Sequence, residues 1–106
     1  SLMPRKLSLT RTDFAKTRTF KRVTGSFLSV SYGVIPGRTT SGAAVVVSKK
    51  VAKSAVVRNR IKRTLRPLLT VFIRGGPSVI VTVRKNLPSR ELLADLTATL
   101  SKIPTL

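Results

Sequence analysis

Residues 49–66 read KKVAKSAVVRNRIKRTLR, and this stretch decides the fold. It carries eight of the chain's 21 basic residues and no acidic residue. Wound as a helix that continues for six more residues, it gathers its apolar side chains within an arc of roughly 120°, the width of a face that packs on a core. That apolar stripe consists of Val57, Ile61, Leu65, Leu68, Leu69 and Phe72. We therefore predict a helix with one face in the core.

The other side of this predicted helix is cationic. Arg58, Lys62 and Arg66 recur at i, i+4 and i+8, where like charges repel by about 0.2–0.5 kcal/mol per pair. A helix face that meets only water usually pairs Glu with Lys at this spacing, so an ordinary solvated face explains the pattern poorly. Arginine also suits bidentate contacts with phosphate better than lysine does. We interpret this face as a surface that binds a polyanion.

The composition indicates nucleic acid as that polyanion. We predict that residues 1–106 form a single domain, with 42% hydrophobic residues to build a modest core. The 21 Lys and Arg residues against three acidic ones give a net charge of +18, more than solubility requires. The chain has no histidine and no cysteine, which excludes disulfides, thiol chemistry, the usual zinc sites and imidazole catalysis.

No hydrophobic run is long enough to predict a membrane span. The basic N-terminus also lacks the apolar segment of a secretory signal. We therefore expect a cytoplasmic protein with no membrane partner and no obligate protein partner. Ser1 and Leu2, ahead of Met3, are expected to be a remnant before the native start and are left out of the fold prediction.

The remaining pattern predicts alternating strands and helices. Thr10 and Asp13 have the spacing of a capping box for a helix over residues 11–21, which would bury Phe14 and Phe20. Residues 27–35 alternate as a half-buried strand. Its buried side would consist of Leu28, Val30, Tyr32 and Val34, and its exposed side of Ser29, Ser31 and Gly33. Residues 43–47 are an apolar run, predicted to be a strand covered on both faces. Residues 79–83, apolar except for Thr82, predict a second buried strand.

Two predictions concern helix ends. Pro67 lacks an N–H group and crowds the preceding turn, so we expect a kink or an early end of the basic helix near Leu65. Ser89 is predicted to cap a last helix, with Glu91 and Asp95 facing water. Its buried stripe would consist of Leu92, Leu93, Leu96, Leu100 and Ile103.

RNRIKRTLR, preceded by VVVSKK, resembles the signature of the bacterial ribonuclease P protein subunit. The pair Asp13-Phe14, Tyr32 nineteen residues after that Asp, and a strand ending in Val83-Arg84-Lys85 also follow the family's order and spacing. The resemblance implies an α+β domain of two layers in the order α-β-β-β-α-β-α. It also implies a four-stranded sheet with a left-handed β-α-β crossover, ribosomal-protein-S5-domain-2-like in topology.

The same resemblance implies two sets of RNA-binding residues. The catalytic-RNA set consists of Lys49, Lys50, Lys53, Arg58, Asn59, Arg60, Lys62, Arg63 and Arg66. The leader set, for the single-stranded 5′ leader of precursor tRNA, consists of Phe14, Arg18, Tyr32 and Arg84. The family usually has an aromatic residue where Arg18 stands, and a guanidinium can also stack on a base. For Tyr32 the alternative is a core aromatic whose hydroxyl reaches water.

A hydrolytic site on the protein itself is not predicted. Metal-dependent nucleases need several converging carboxylates, and this chain has three, of which Asp13 is assigned to a helix cap. Gly75-Gly76 reads as a helix stop, because no Gly-Lys-Ser/Thr follows it. The resemblance implies that a catalytic RNA holds Mg²⁺ and cuts precursor tRNA, and that the protein is a non-catalytic subunit with no tightly bound cofactor. By neutralising phosphates, such a subunit should reduce the Mg²⁺ that the RNA needs.

Two other interpretations stay open on the residues alone. A ribosomal or other structural RNA-binding protein would have the same size and charge. An autonomous nuclease or a DNA-binding protein is the third possibility. Processing of precursor tRNA separates the first interpretation from the second, and activity without an RNA subunit would be needed for the third. Since the chain has few aromatic residues, we expect weak sequence preference.

Overall fold

The computed structural model describes residues 17–37, 40–74 and 76–103. In chain order these contain β1 (Lys21–Thr24), β2 (Leu28–Gly33), β3 (Ala43–Val47), α1 (Ala55–Phe72), β4 (Ser78–Val83) and α2 (Ser89–Leu100). The predicted α+β class is confirmed. Within these described ranges, no helix combines the length and the hydrophobicity that crossing a membrane would take.

The predicted N-terminal helix lies mostly outside the described residues, together with Thr10, Asp13 and Phe14. Its predicted end at Lys21 is wrong, because Arg18 and Thr19 form a turn and Lys21 begins β1. The physical reason is tertiary: all four residues of β1 pair with β2, and Val23 faces Val30 across the ladder. Strand formation there depends on cross-strand partners rather than on local propensity.

The four strands form one mixed sheet in the order β1-β2-β4-β3. β1 and β2 pair antiparallel, β2 and β4 pair antiparallel, and β4 and β3 pair parallel through a crossover that contains α1. The four-stranded sheet is thus confirmed. The hand of the crossover and the likeness to the ribosomal protein domain stay predictions.

One face of this sheet carries the core. Residues at alternate positions of β2, β3 and β4, such as Val30, Val45 and Val81, lie side by side in the pairing and are buried. They form a single cluster with the buried residues of both helices, which therefore make the second layer. The helix residues in that cluster include Ile61, Leu65, Leu69, Leu92, Leu96 and Leu100.

Both predicted helical stripes are confirmed. Ile61, Leu65 and Leu69 are buried in α1, and Val57, Leu68 and Phe72 pack against the core while half-buried. In α2 and just beyond it, the buried residues are Leu92, Leu96, Leu100 and Ile103, and Leu93 is half-buried. The period of 3.6 residues is sufficient to locate these faces because each helix packs on one side only.

The other face of the sheet differs from the prediction. Ser29 is 2% exposed although its side of β2 was expected to face water. The reason is that β2 is an inner strand, where Ser29 lies between Thr24 of β1 and Thr82 of β4. Conversely, β3 is an edge strand, so Val46 is 39% exposed and the prediction of cover on both faces is wrong for it.

Helix α1 begins at Ala55 and ends at Phe72, where its predicted apolar stripe ends. Ser54 is its N-cap, and its hydroxyl accepts from the Val57 N–H at 3.5 Å. Pro67 lies inside the helix, which continues to Phe72, so the early end near Leu65 is wrong. Proline costs about 3 kcal/mol in a helix interior. Burying the apolar side chains that follow it offsets that cost, since each contributes about 1.5–3 kcal/mol.

Helix α2 begins differently from the prediction. Its N-cap is Pro88, which makes no side-chain cap bond, and Ser89 is the first helical residue. The predicted cap at Ser89 is therefore wrong. The Ser89 hydroxyl instead lies 3.4 Å from the hydroxyl of Thr64 on α1, which brings the start of α2 beside the middle of α1.

Candidate nucleic-acid interface

The solvent side of α1 carries cations without acidic neighbours on the same helix. Asn59, Arg60 and Arg63 are exposed there. Arg58, Lys62 and Arg66 are half-buried, so their aliphatic stems cover apolar surface while their charged ends can reach water. The carboxylates of Glu91 and Asp95, the two within the described residues, both belong to α2. The cations of α1 that the sequence places opposite the apolar stripe are thus exposed or half-buried.

Arg58 also has a structural role that the sequence did not reveal. Its Nη1 donates to the carbonyl oxygens of Ala52 and Lys53, each at 2.9 Å. These bonds tie the segment between β3 and α1 to the first turns of the helix. The guanidinium has five N–H donors, so further donors stay available for a ligand. Arg58 therefore fixes the loop that carries Lys53 and can still contact phosphate.

The loop itself is turned tightly at its start. The carbonyl of Ser48 accepts from the N–H groups of Val51 and Ala52, at 3.1 and 3.2 Å. Lys49, Lys50 and Lys53 project from this loop and are exposed. Their ammonium groups are held on a short, hydrogen-bonded backbone close to the start of α1.

Two charged segments meet where β3 and β4 end. The strands are parallel and Val47 pairs with Val83, so the residues that follow each strand leave the sheet at the same edge. The cationic end, as we call this region, consists of Lys49, Lys50, Lys53, Arg58, Arg84 and Lys85. It contains one member of the predicted leader set, Arg84, among members of the catalytic-RNA set.

The predicted leader set is divided between two ends of the sheet. Tyr32 pairs with Val79 and Leu28 pairs with Val83, which immediately precedes Arg84. At about 3.3 Å per residue, the five steps from Val79 to Arg84 separate the two positions by roughly 17 Å. Arg18 comes three residues before Lys21, the partner of Tyr32, and is exposed at the Tyr32 end. Phe14 lies outside the described residues.

Tyr32 is half-buried and packs against the core. The prediction that Val34 is buried on the same side is wrong, because β2 ends at Gly33 and Val34 is 71% exposed. Tyr32 shares the helix-facing side of β2 with Leu28 and Val30, and the residues of α1 and α2 that join their cluster lie on that side. Tyr32 thus has the position of an aromatic residue of the core, which was the alternative to a contact with the leader. A different ring lies at this end on the opposite face: Phe20 covers Gly33, where a Cβ atom would come within 2.7 Å of the ring.

Asp95 makes contacts that the sequence did not predict. Its carboxylate accepts from the backbone N–H groups of Ser26 and Phe27, each at 2.9 Å, so the prediction that Asp95 faces water is wrong. The Lys102 ammonium donates to the Thr24 carbonyl at 2.9 Å. Gly25 lets the β1–β2 turn lie close to α2, because a Cβ atom at this position would be 2.2 Å from the Thr99 hydroxyl. Together these contacts clamp the β1–β2 turn onto α2.

The described residues offer little for metal chemistry. No group of three or more His, Cys, Asp or Glu side chains that could hold a metal ion occurs among them. Asp95 is committed to two backbone donors, and Glu91 lies exposed in the first turn of α2. What the geometry offers instead is electrostatic and hydrogen-bonding contact with an anionic polymer.

Fold and charge together define a basic α+β domain with one helical layer and an exposed group of cations. The Ribonuclease P family profile matches residues 3–104. The chain therefore belongs to the ribonuclease P protein family, as its resemblance implied.

Individual proteins show the same relationship. The chain is 40% identical over 77 residues to the ribonuclease P protein component of Pseudanabaena sp. (strain PCC 6903), a match over 69% of this chain and 66% of that protein. The chain thus spans slightly under two thirds of that relative's length. The RNase P protein of Staphylococcus aureus has the same fold, with a TM-score of 0.74 at 22% identity over 88% of this chain and 90% of that one.

A second solved structure agrees. It is the RNase P protein of Thermotoga maritima in complex with 1-(4-fluorophenyl)-2-thiourea. Its TM-score is 0.70 at 20% identity, over 89% of this chain and 95% of that one.

Proposed function

We propose that this chain is the protein subunit of ribonuclease P. In this role it binds the catalytic RNA and the 5′ leader of precursor tRNA, and it assists endonucleolytic removal of the leader. The observation that carries the proposal is the cationic end, together with the exposed cations of α1 that follow it. It supports this role because the chain belongs to the ribonuclease P protein family. Its partners are ribonuclease P RNA and precursor tRNA, and its place of action is the cytoplasm.

In this proposal the protein binds phosphates and the RNA cleaves the bond. Arg60 and Arg63 stand exposed on α1 and present guanidinium groups to phosphates, while Asn59 adds a neutral donor and acceptor between them. Each phosphate that is neutralised releases condensed counterions, which makes binding strongly dependent on salt. Bond cleavage is assigned to the RNA, which holds most of the Mg²⁺, and the protein lowers the Mg²⁺ that the RNA needs.

Cleavage of a precursor tRNA at low Mg²⁺ tests this function directly. Ribonuclease P RNA alone, the protein alone and the two together are compared. We expect efficient removal of the leader only in the mixture. Cleavage by the protein alone would contradict the assignment of catalysis to RNA. Tight RNA binding without any gain in cleavage would favour a structural RNA-binding protein instead.

The contact surface is tested by Arg60→Gln with Arg74→Gln as its control. Both variants lose one exposed positive charge, but Arg74 follows the end of α1 that lies away from the cationic end. If Arg60 neutralises one phosphate, its loss should reduce the slope of log affinity against log salt by about one unit. Arg74→Gln should leave the slope unchanged. An equal reduction of the slope in both variants would mean that net charge, rather than this surface, determines binding. An unchanged slope for Arg60→Gln would mean that Arg60 neutralises no phosphate.

A further inference from the structure

Phe27 is an aromatic residue without a packing role in the helical core. It precedes Leu28, whose side chain enters the core, so strand alternation directs Phe27 to the opposite face of the sheet. Its ring is half-buried and is not among the side chains packed against the core cluster, whereas Tyr32 and Phe72 are. Part of the ring therefore remains available for a ligand.

The backbone of Phe27 is held on both sides. Its N–H donates to Asp95 Oδ2 at 2.9 Å, and its carbonyl accepts from the Arg84 N–H, also at 2.9 Å. The preceding N–H, that of Ser26, donates to Asp95 Oδ1. A ring on such a fixed backbone loses little conformational freedom when a ligand stacks on it, which favours binding.

A cation already lies over the ring. Lys85 Nζ is 5.8 Å from the ring centroid, in a cation–π contact, and the backbone of the exposed Arg84 pairs with that of Phe27. The exposed Lys49 and Lys50 follow the neighbouring strand at the same edge of the sheet. An aromatic platform within a positively charged groove is the arrangement by which proteins hold single-stranded nucleic acid, since bases stack on the ring and cations meet the phosphates.

We propose that Phe27 stacks on one unpaired base of RNA, which takes the place of the Lys85 ammonium over the ring, while Arg84 and the displaced Lys85 bind the phosphates on either side of that base. This site deepens the proposed function and rests on it. A base within a duplex cannot present its face to a ring, so the ligand is an unpaired nucleotide. That nucleotide belongs either to the catalytic RNA or to the leader of the substrate. Because every base has a π-face, the site tolerates any sequence.

The first experiment measures the affinity of the full chain for a short oligouridylate and for an RNA duplex of equal length. Phe27→Leu keeps an apolar side chain but removes the ring, and Phe27→Tyr restores a ring. Phe72→Leu is the matched control, because Phe72 lines an apolar groove between α1 and α2 with Leu68 and Leu100. Thermal unfolding of each variant confirms that it is folded.

We expect Phe27→Leu to weaken oligouridylate binding roughly five-fold to one-hundred-fold, the range of one lost base–aromatic stack. Phe27→Tyr and Phe72→Leu should bind like the parent chain, and duplex affinity should be the same in all variants. The proposal is overturned if Phe27→Leu and Phe72→Leu bind the oligouridylate equally well, or if the parent chain binds duplex but not the single strand.

The second experiment identifies the source of the nucleotide and separates this site from the proposed function. In the reconstituted complex, a Phe27→Leu defect confined to substrates with a leader assigns the base to the leader. A defect in binding ribonuclease P RNA assigns it to the catalytic RNA. If the parent chain stimulates cleavage and Phe27→Leu matches it in both assays, the stacking site is wrong and the proposed function stands. If the parent chain does not stimulate cleavage at all, the proposed function itself fails.

Discussion

Replacing Asp95 with alanine should release the β1–β2 turn from α2. The carboxylate accepts two backbone N–H groups at 2.9 Å, one in an exposed and one in a partly buried setting. A hydrogen bond to a charged group contributes about 1.5–3 kcal/mol, and the exposed donor recovers part of its loss from water. We expect the free energy of unfolding to fall by about 2–4 kcal/mol. For a domain near 100 residues this lowers the melting temperature by roughly 10–25 °C.

The assay is urea and thermal unfolding followed by circular dichroism, with Glu91→Ala as the control. That control removes one negative charge from the same helix, but its side chain is exposed in the first turn. Losing its favourable interaction with the helix dipole should cost only about 0.3–1 kcal/mol. Equal losses in the two variants would mean that overall charge repulsion, not the clamp, explains the effect of Asp95. An Asp95→Ala variant as stable as the parent chain would refute the reasoning altogether.

Three further substitutions test the packing. Leu65→Ala should lower the free energy of unfolding by about 2–5 kcal/mol in a urea titration, because Leu65 is fully buried in α1 and alanine leaves a cavity. Gly25→Ala should cost about 1–3 kcal/mol, and adding Thr99→Ala should recover part of that loss in a double-mutant cycle, since the new Cβ would meet the Thr99 hydroxyl. Pro67→Ala should raise the melting temperature, because alanine restores an N–H donor to the Arg63 carbonyl. The free energy of unfolding should rise by about 1–2 kcal/mol, since the greater entropy of the unfolded chain cancels part of the gain. A lower melting temperature would show that the proline is not strained.

The sequence predicts α1 well because its signal is local. Apolar residues from Val57 to Phe72 repeat with the helical period, and the core is built on that face. The same local reasoning could not find β1, whose four residues KRVT include one apolar side chain. That segment becomes a strand only because β2 offers a partner for each residue. The strand structure of residues 21–24 therefore depends on the sheet and cannot be predicted from these residues alone.

The cationic face was predictable for the same reason, since its residues are near neighbours in the chain. The contacts of Asp95 were not, because Ser26 and Phe27 lie 69 and 68 residues away in sequence. An isolated acid on a strongly basic chain could have suggested a specific partner, but nothing local identifies backbone donors in a distant turn. The position of Arg84 relative to Tyr32 was equally hidden, because it depends on β4 lying between β2 and β3.

The charges at the start of α1 do not favour the stability of this helix end. The N-terminus of a helix carries roughly half a positive charge, and acidic residues stabilise it by about 0.3–1 kcal/mol. The first turn of α1 has no acidic residue, and Lys53 and Arg58 lie on either side of the Ser54 cap. These cations oppose the helix dipole, and the exposed Lys49 and Lys50 of the preceding loop add to the positive charge there. Under the proposed function, a phosphate bound at this point would meet the positive end of the dipole and several ammonium and guanidinium groups at once. Folding alone would favour acidic residues in these positions, so the cations lower the stability of this helix end, and under the proposed function the bound RNA backbone offsets that loss.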